Sequence, residues 1–145
     1  MNNNAVVPGE IKSLADIEAI EAIPLSERDL PASSYEAIAR SAREHPGRLA
    51  IRYIEDGDRW QEARSAGEHA LTVDVSYAEL LSNIHRTANL FRSLGVQESD
   101  CVSMVLPNVP EAHYTLWGGE ACGVVNPVNY LLEAAEIGDI VQSAG

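Results

Sequence analysis

The chain has 145 residues, of which 46% are hydrophobic, and its 22 acidic side chains against 10 lysines and arginines give a formal net charge of −12. This length is enough for a domain with a hydrophobic core, while the negative charge excludes nucleic acid as an expected partner, because binding to a phosphate backbone draws on lysine and arginine. No apolar run approaches the roughly 18 residues of a membrane span and no signal peptide is visible, so we expect a cytoplasmic protein.

Residues 1–34 are predicted to form a leader and an extended arm rather than part of a domain. The first 13 residues show no hydrophobic pattern. A short helix is predicted from Leu14 to Ile23, where Pro24 ends it. The segment from Pro24 to Pro31 is then expected to be extended.

Residues 35–145 are predicted to begin with a helix and two strands. Ser34 is placed to cap a helix from Tyr35 to His45, which Pro46 and Gly47 end. A strand is expected over Leu49–Ile54, followed by a polar loop over Glu55–Ala70 and a second strand over Leu71–Val75.

The next helix has the clearest pattern in the chain. Ser76 and Glu79 match the capping box, in which each side chain bonds to the backbone N–H of the other residue. Gly95 is expected to end this helix in the left-handed conformation. Apolar residues recur at helical spacing along it: Tyr77, Leu80, Leu81, Ile84, Ala88, Phe91 and Leu94.

The rest of the chain predicts two further strands, each followed by a helix. The first strand, Cys101–Leu106, lacks alternation and is expected to be buried on both faces of a parallel sheet. Asn108 is placed to cap a helix that runs to about Cys122, and a close helix contact would explain Gly118 and Gly119 within it. A strand over Val124–Val128 and a helix over Tyr130–Ser143, capped by Asn129, complete the pattern.

This alternation predicts an α/β fold with a mostly parallel sheet and flanking helices, because parallel neighbours need crossover connections. A further strand is due after the last helix, so the sheet is expected to have an open edge.

No catalytic constellation is visible, so we assign no catalytic, cofactor-binding or metal residue. The chain has no phosphate-loop or nucleophile-elbow motif. Lys12 is the only lysine, and no lysine or arginine follows Arg92. The acidic residues Glu55, Asp56 and Asp58 are expected to form a solvated turn. The four histidines are scattered and are expected to be surface or packing residues: His45, His69, His85 and His113.

Two groups of less polar side chains were also considered for function. Cys101 and Cys122 have no ligand spacing and are expected to be buried, reduced thiols. Tyr114, Leu116 and Trp117 could line an apolar pocket, but their spacing favours a place in the core.

An ordered series of motifs resembles the N-terminal portion of the AMP-forming acyl-CoA synthetases, in the adenylate-forming superfamily, and most closely the fatty acyl-CoA synthetases. Together with the arm before Tyr35, the motifs cover roughly Leu14–Gly145. They are Val75–Leu80, similar to T-Y-x-E-L; Ala88–Val96, similar to a helix end; Asp100–Glu111, similar to D-x-V-x-x-x-L-P-N-x-P-E; and Leu116–Asn129, similar to the second core motif.

The resemblance implies an incomplete N-terminal subdomain of the adenylate-forming fold over residues 35–145. It also implies a ligase that joins a fatty acid to CoA with ATP and magnesium. The family's phosphate loop and functional lysines are absent from this sequence, so we expect no cofactor site in this chain, no activity of the chain alone, and the remainder of a ligase as its partner.

Two other interpretations remain open at this point. The chain could be a stand-alone, non-catalytic module that binds a protein partner through its open sheet edge. It could also be a small α/β binding protein unrelated to the ligases.

Overall fold

The structure is a computed structural model that describes residues 11–28, 30–55, 65 and 72–145. The chain divides into two compact units, Met1–Ser33 and Ser34–Gly145. Most of the predicted polar loop, and Leu71 at the start of the second predicted strand, lie outside the described residues. The described helices and strands are α1 (Leu14–Glu21), α2 (Ser34–Glu44), β1 (Leu49–Ile54), β2 (Thr72–Ser76), α3 (Tyr77–Ser93), β3 (Cys101–Met104), α4 (Pro110–Glu120), β4 (Val124–Pro127) and α5 (Ala134–Ser143).

The first unit contains α1 and a folded turn after it. The prediction of an extended arm is wrong at Leu25–Glu27, which forms a short 3₁₀ helix. This turn brings Arg28 back to the end of α1, where its guanidinium donates to the carbonyl oxygens of Ile20 (3.0 Å) and Ile23 (2.9 Å). Both carbonyl oxygens lie at the C-terminal end of α1, where carbonyls lack partners further along the helix; that of Ile20 also accepts from the backbone N–H of Ile23 at 3.2 Å.

The second unit has the predicted α/β class, with its strands in two separate pairs. β3 and β4 are parallel, with Val102 opposite Val125. β1 and β2 are antiparallel, with Arg52 opposite Asp74, a pairing that the prediction of a mostly parallel sheet did not specify. An antiparallel pair needs no crossover helix, which agrees with the polar loop predicted between them.

Burial of the predicted strand Cys101–Leu106 differs from the expectation. β3 ends at Met104, and all four of its residues are half-buried instead of enclosed on both faces. Val105 and Leu106, which follow it, are exposed. The segment is therefore more hydrophobic than expected for residues that are half-buried or exposed in the described structure.

The core of the second unit lies under α3. Its buried cluster is formed by Val75, Leu80 and Ile84, and Ile84 is fully enclosed. The predicted capping box starts this helix, and Gly95 follows it with a φ of +93° as expected. Six half-buried residues pack around the cluster: Ile38, Ala50, Ile51, Tyr77, Tyr114 and Trp117.

The two later helices begin beyond their predicted caps. α4 starts at Pro110 with Val109 as its N-cap, so the assignment to Asn108 is wrong. α5 starts at Ala134, and Asn129 instead accepts a hydrogen bond from the backbone N–H of Leu131 at 3.0 Å. The asparagine side chain thus stabilises a turn, which delays the helix.

Candidate functional site

A cleft of about 420 Å³ lies beside the core, where β2, α3 and α4 meet. Strand residues form one wall, and polar side chains of α3 form another. Tyr114 of α4 contributes the remaining surface. The full lining consists of Val73, Asp74, Val75, Glu79, Ser82, Asn83, Arg86 and Tyr114.

Both carboxylates of this cleft are held by local hydrogen bonds. Asp74 accepts from the Nε (2.7 Å) and Nη2 (2.6 Å) of Arg52 on the neighbouring strand, and these bonds lower the pKa of Asp74. Glu79 accepts from the backbone N–H (2.9 Å) and hydroxyl (2.8 Å) of Ser76, which lowers its pKa as well. A proton donor at neutral pH needs a raised pKa, so both carboxylates are suited to structure instead of acid catalysis.

Tyr114 carries another titratable group of the cleft. Burial raises the pKa of its phenol, against a smaller opposing effect of its hydrogen bond with Asn83. The phenol therefore stays protonated at neutral pH. Its ring also packs against the core cluster, as Trp117 does, so the preference for a core position holds for both residues.

The N-termini of the helices test whether the chain can hold a nucleotide. A helix N-terminus binds phosphate through free backbone N–H groups and the helix dipole. In the described part of the chain, α3, α4 and α5 each follow a strand, and each carries a glutamate in its first turn: Glu79, Glu111 and Glu136. A second negative charge at any of these helix N-termini would be repelled by the glutamate already there.

Two of these helix N-termini also have fewer free backbone N–H groups. Glu79 N–H bonds to the hydroxyl of Ser76. α4 starts with Pro110, which has no N–H to donate. Among the described residues, no group of three or more His, Cys, Asp or Glu side chains is arranged to hold a metal ion.

The described histidines and Glu55 do not line the cleft. His85 forms a 2.8 Å hydrogen bond between its Nε2 and the hydroxyl of Tyr35, which links α3 to α2. His45, His113 and Glu55 are exposed. The other predicted members of these groups lie outside the described residues: His69, Asp56 and Asp58.

The two cysteines differ from each other in burial. Cys122 is buried, as expected, and its Sγ lies 3.2 Å from the carbonyl oxygen of Ala88. Cys101 is only half-buried, like the rest of β3, which corrects the expectation for this thiol. Both thiols are free.

The cleft itself is not predicted by any pattern in the sequence. Its polar wall comes from Ser82, Asn83 and Arg86, which lie on the face of α3 opposite its apolar stripe. The polar face of α3 can be recognised in the sequence. Its proximity to Tyr114 cannot, because Tyr114 lies about 30 positions further along the chain. No helix in the described residues is long and apolar enough to cross a bilayer.

Comparison with known proteins gives consistent matches. A family model described as "AMP-binding enzyme" matches residues 38–145. The chain is 31% identical over 134 residues to the marinolic acid–CoA ligase of Pseudoalteromonas sp. (strain SANK 73390), covering 92% of this chain and 19% of the ligase. It is 29% identical over 130 residues to the acetyl-coenzyme A synthetase of Phycomyces blakesleeanus, covering 90% and 18%.

A solved structure supports the same fold. The N-terminal subdomain of NpsA from Klebsiella oxytoca, in complex with anthranilyl-AMSN, matches with a TM-score of 0.61 and 18% identity. This match covers 78% of the present chain and 25% of that chain. The present chain spans about a fifth of the length of the curated relatives described above.

Proposed function

Because the chain belongs to the AMP-binding enzyme family, we propose that it is the N-terminal portion of an ATP-dependent acyl-CoA ligase. In the proposed reaction, a carboxylate oxygen attacks the α-phosphate of ATP, which releases pyrophosphate and forms an acyl-adenylate. The CoA thiol then attacks the acyl carbon, which releases AMP and forms the thioester. The observation that carries this proposal is the family match across residues 38–145. The relatives described above, which match the same part of the chain, are named as a CoA ligase and an acetyl-coenzyme A synthetase.

We infer that this portion supplies the framework of the enzyme and that it is inactive by itself. Two features support this role. First-turn glutamates occupy the helix N-termini where phosphate would otherwise bind, and no lysine or arginine follows Arg92. The ATP, magnesium and CoA of the reaction would then be held mainly by the remainder of the ligase, which is the expected partner.

The substrate and the compartment are further parts of the proposal. A fatty acid is the first substrate to test, since the motif wording is most similar to that of fatty acyl-CoA synthetases. The relatives described above act on marinolic acid and acetate by name, so these two acids belong in the same assay. The free thiols of Cys101 and Cys122 agree with a reducing cytoplasm.

The test is an ATP–pyrophosphate exchange assay on two proteins. One is the 145-residue chain alone. The other is a chimera in which this chain replaces the matched segment of the marinolic acid–CoA ligase. We expect exchange by the chimera in the presence of a carboxylic acid and none by the chain alone.

Either of two results would contradict this proposal. Exchange by the chain alone would show that it contains the nucleotide site. A folded chimera that catalyses no exchange with any of the three acids would show that this chain is not a ligase framework, and would favour the stand-alone module that binds a partner.

A further inference from the structure

The cleft beside the core is lined by three charged side chains, and one of them is neutralised. Asp74 accepts from the Nε and Nη2 of Arg52 through both of its carboxylate oxygens, so this ion pair contributes no net charge. The other two charged side chains of the lining are Glu79 and Arg86. Both are exposed, and the structure shows no ion pair between them.

Arg86 presents an unpaired guanidinium to the cleft. Its neighbours three and four positions away on α3 are uncharged: Ser82, Asn83, Asn89 and Leu90. Among the described residues, no ion pair or hydrogen bond holds this guanidinium. An arginine carries its N–H donors in a planar fork that matches the two oxygens of a carboxylate. This end of the cleft is therefore suited to an anionic group.

Glu79 supplies the opposite charge. The backbone N–H and the hydroxyl of Ser76 both donate to its Oε2, so Oε1 takes no part in the helix cap. Because these bonds lower the pKa of Glu79, its carboxylate is ionised at neutral pH. This end of the cleft attracts a cation and repels a second anion.

The two charges lie on the same face of α3, close to two turns apart. Seven positions separate Glu79 from Arg86, which places them about 10 Å apart along the helix axis. Val73 of β2, which is 38% exposed, and Tyr114 of α4 give the same cleft apolar surface. The cleft thus combines one unpaired positive charge, one negative charge and an apolar wall.

We propose that this cleft binds a small zwitterion whose ammonium and carboxylate groups are separated by a short apolar chain. The carboxylate bonds to the guanidinium of Arg86, the ammonium bonds to Oε1 of Glu79, and the chain packs against Val73. The volume of about 420 Å³ is within the usual range of small-molecule sites. An α-amino acid cannot reach both groups, because its two charges are on neighbouring atoms. The proposal is independent of the proposed ligase function, since it involves neither ATP nor CoA.

A titration of the 145-residue chain with 6-aminohexanoate, followed by ¹H–¹⁵N NMR correlation spectra, tests the proposal. We expect saturable binding with a Kd of about 1 mM, and the largest shifts at the residues that line the cleft. Two matched compounds serve as controls. In 2-aminohexanoate the same atoms place the ammonium beside the carboxylate, and hexanoate has no ammonium. Each should bind at least about threefold more weakly, because it forms only one of the two charged contacts.

Substitutions locate the two contacts on the chain. Arg86→Gln and Glu79→Gln each remove one charge, and glutamine at position 79 can still complete the capping box. Each variant should bind 6-aminohexanoate at least about threefold more weakly than the parent. Arg43→Gln is the control, because Arg43 is an exposed arginine of α2 that does not line the cleft. This variant should bind as the parent does, and circular dichroism checks that all three variants are folded.

Several results would overturn the proposal. Equal binding of 6-aminohexanoate and 2-aminohexanoate would show that the separation of the charges is irrelevant. Hexanoate binding as tightly as 6-aminohexanoate would remove Glu79 from the site and leave a site for simple carboxylates. Parent-like binding by both cleft variants, or the largest shifts outside the cleft, would place the ligand elsewhere. A titration without saturation up to about 50 mM would show that the cleft is not a binding site for this class of compound.

Discussion

Gly118 lies where α4 crosses α3, and the contact leaves no room for a side chain. A Cβ at this position would lie 2.7 Å from the Cβ of Thr87 and 3.0 Å from the carbonyl oxygen of Ile84. The second distance involves the backbone, which cannot move aside as a flexible side chain can. The cost of a glycine inside a helix is therefore offset by the close approach of the two helices.

Gly118→Ala should consequently destabilise the chain. We expect the free energy of unfolding to fall by about 1–3 kcal/mol, as is typical of overpacked cores. Chemical denaturation followed by circular dichroism measures the change. Gly138→Ala in α5 is the matched control, because its Cβ would meet nothing within 4 Å. This control should be neutral or stabilising by up to about 1 kcal/mol, and an equal loss in both variants would contradict the packing explanation.

At the scale of elements, α3 organises the second unit and its start is fixed by a local device. The hydroxyl of Ser76 accepts from the backbone N–H of Glu79 at 3.3 Å, and the carboxylate of Glu79 accepts from the backbone N–H of Ser76. The same helix supplies Leu80 and Ile84 to the core. Loss of the cap should therefore affect the whole unit.

Ser76→Ala should lower the free energy of unfolding by about 1 kcal/mol, the usual value for loss of an N-cap side chain. The measurement is again denaturant unfolding, compared with Ser82→Ala. Ser82 lies exposed in the middle of the same helix, where alanine is the better helix former. A Ser76→Ala variant as stable as its Ser82→Ala counterpart would show that the cap has no energetic role.

The cap also predicts a dependence on pH. Because hydrogen bonds from Ser76 lower the pKa of Glu79 in the folded chain, their stabilising effect is complete above the pKa of the unfolded glutamate, about 4.3, and is lost as the pH falls through the folded value. Glu79→Gln should therefore reduce the loss of stability between pH 7 and pH 3. Glu44→Gln, at an exposed carboxylate in the last turn of α2, is the control. A pH profile unchanged by Glu79→Gln but altered by Glu44→Gln would contradict this assignment.

The elements that sequence analysis predicted well are those fixed by neighbouring residues. The capping box of α3 and the left-handed Gly95 depend on contacts within a few positions, so the sequence is sufficient for them. The start of α4 differs from the prediction because its N-cap is Val109, which caps without a side-chain hydrogen bond, and that of α5 because Asn129 bonds within a turn instead of capping a helix. The antiparallel pairing of β1 with β2 depends on the direction in which distant strands meet, which local patterns do not encode.

The candidate cleft shows the same division. The bonded state of Glu79 follows from the capping box in the sequence. The pairing of Arg52 with Asp74 requires the register of two strands 22 positions apart, and the contribution of Tyr114 requires the packing of α4 on α3. Only the first of these contributions could be predicted without the structure.

At the scale of the whole molecule, we propose that the chain acts as a framework instead of a catalytic centre. The net charge of −12 and the glutamates that begin α3, α4 and α5 both disfavour a triphosphate on the described residues. Family membership then places the nucleotide chemistry, in our proposal, in the remainder of the ligase.

Isothermal titration calorimetry of the 145-residue chain with ATP and magnesium tests this central claim most directly. The account predicts no saturable heat of binding at nucleotide concentrations up to about 1 mM, a level at which the binding free energy would be weaker than about −4 kcal/mol. The same titration of an active chimera should show saturable binding. A one-to-one isotherm for the chain alone with a micromolar Kd would contradict the account, because it would place a nucleotide site within these 145 residues.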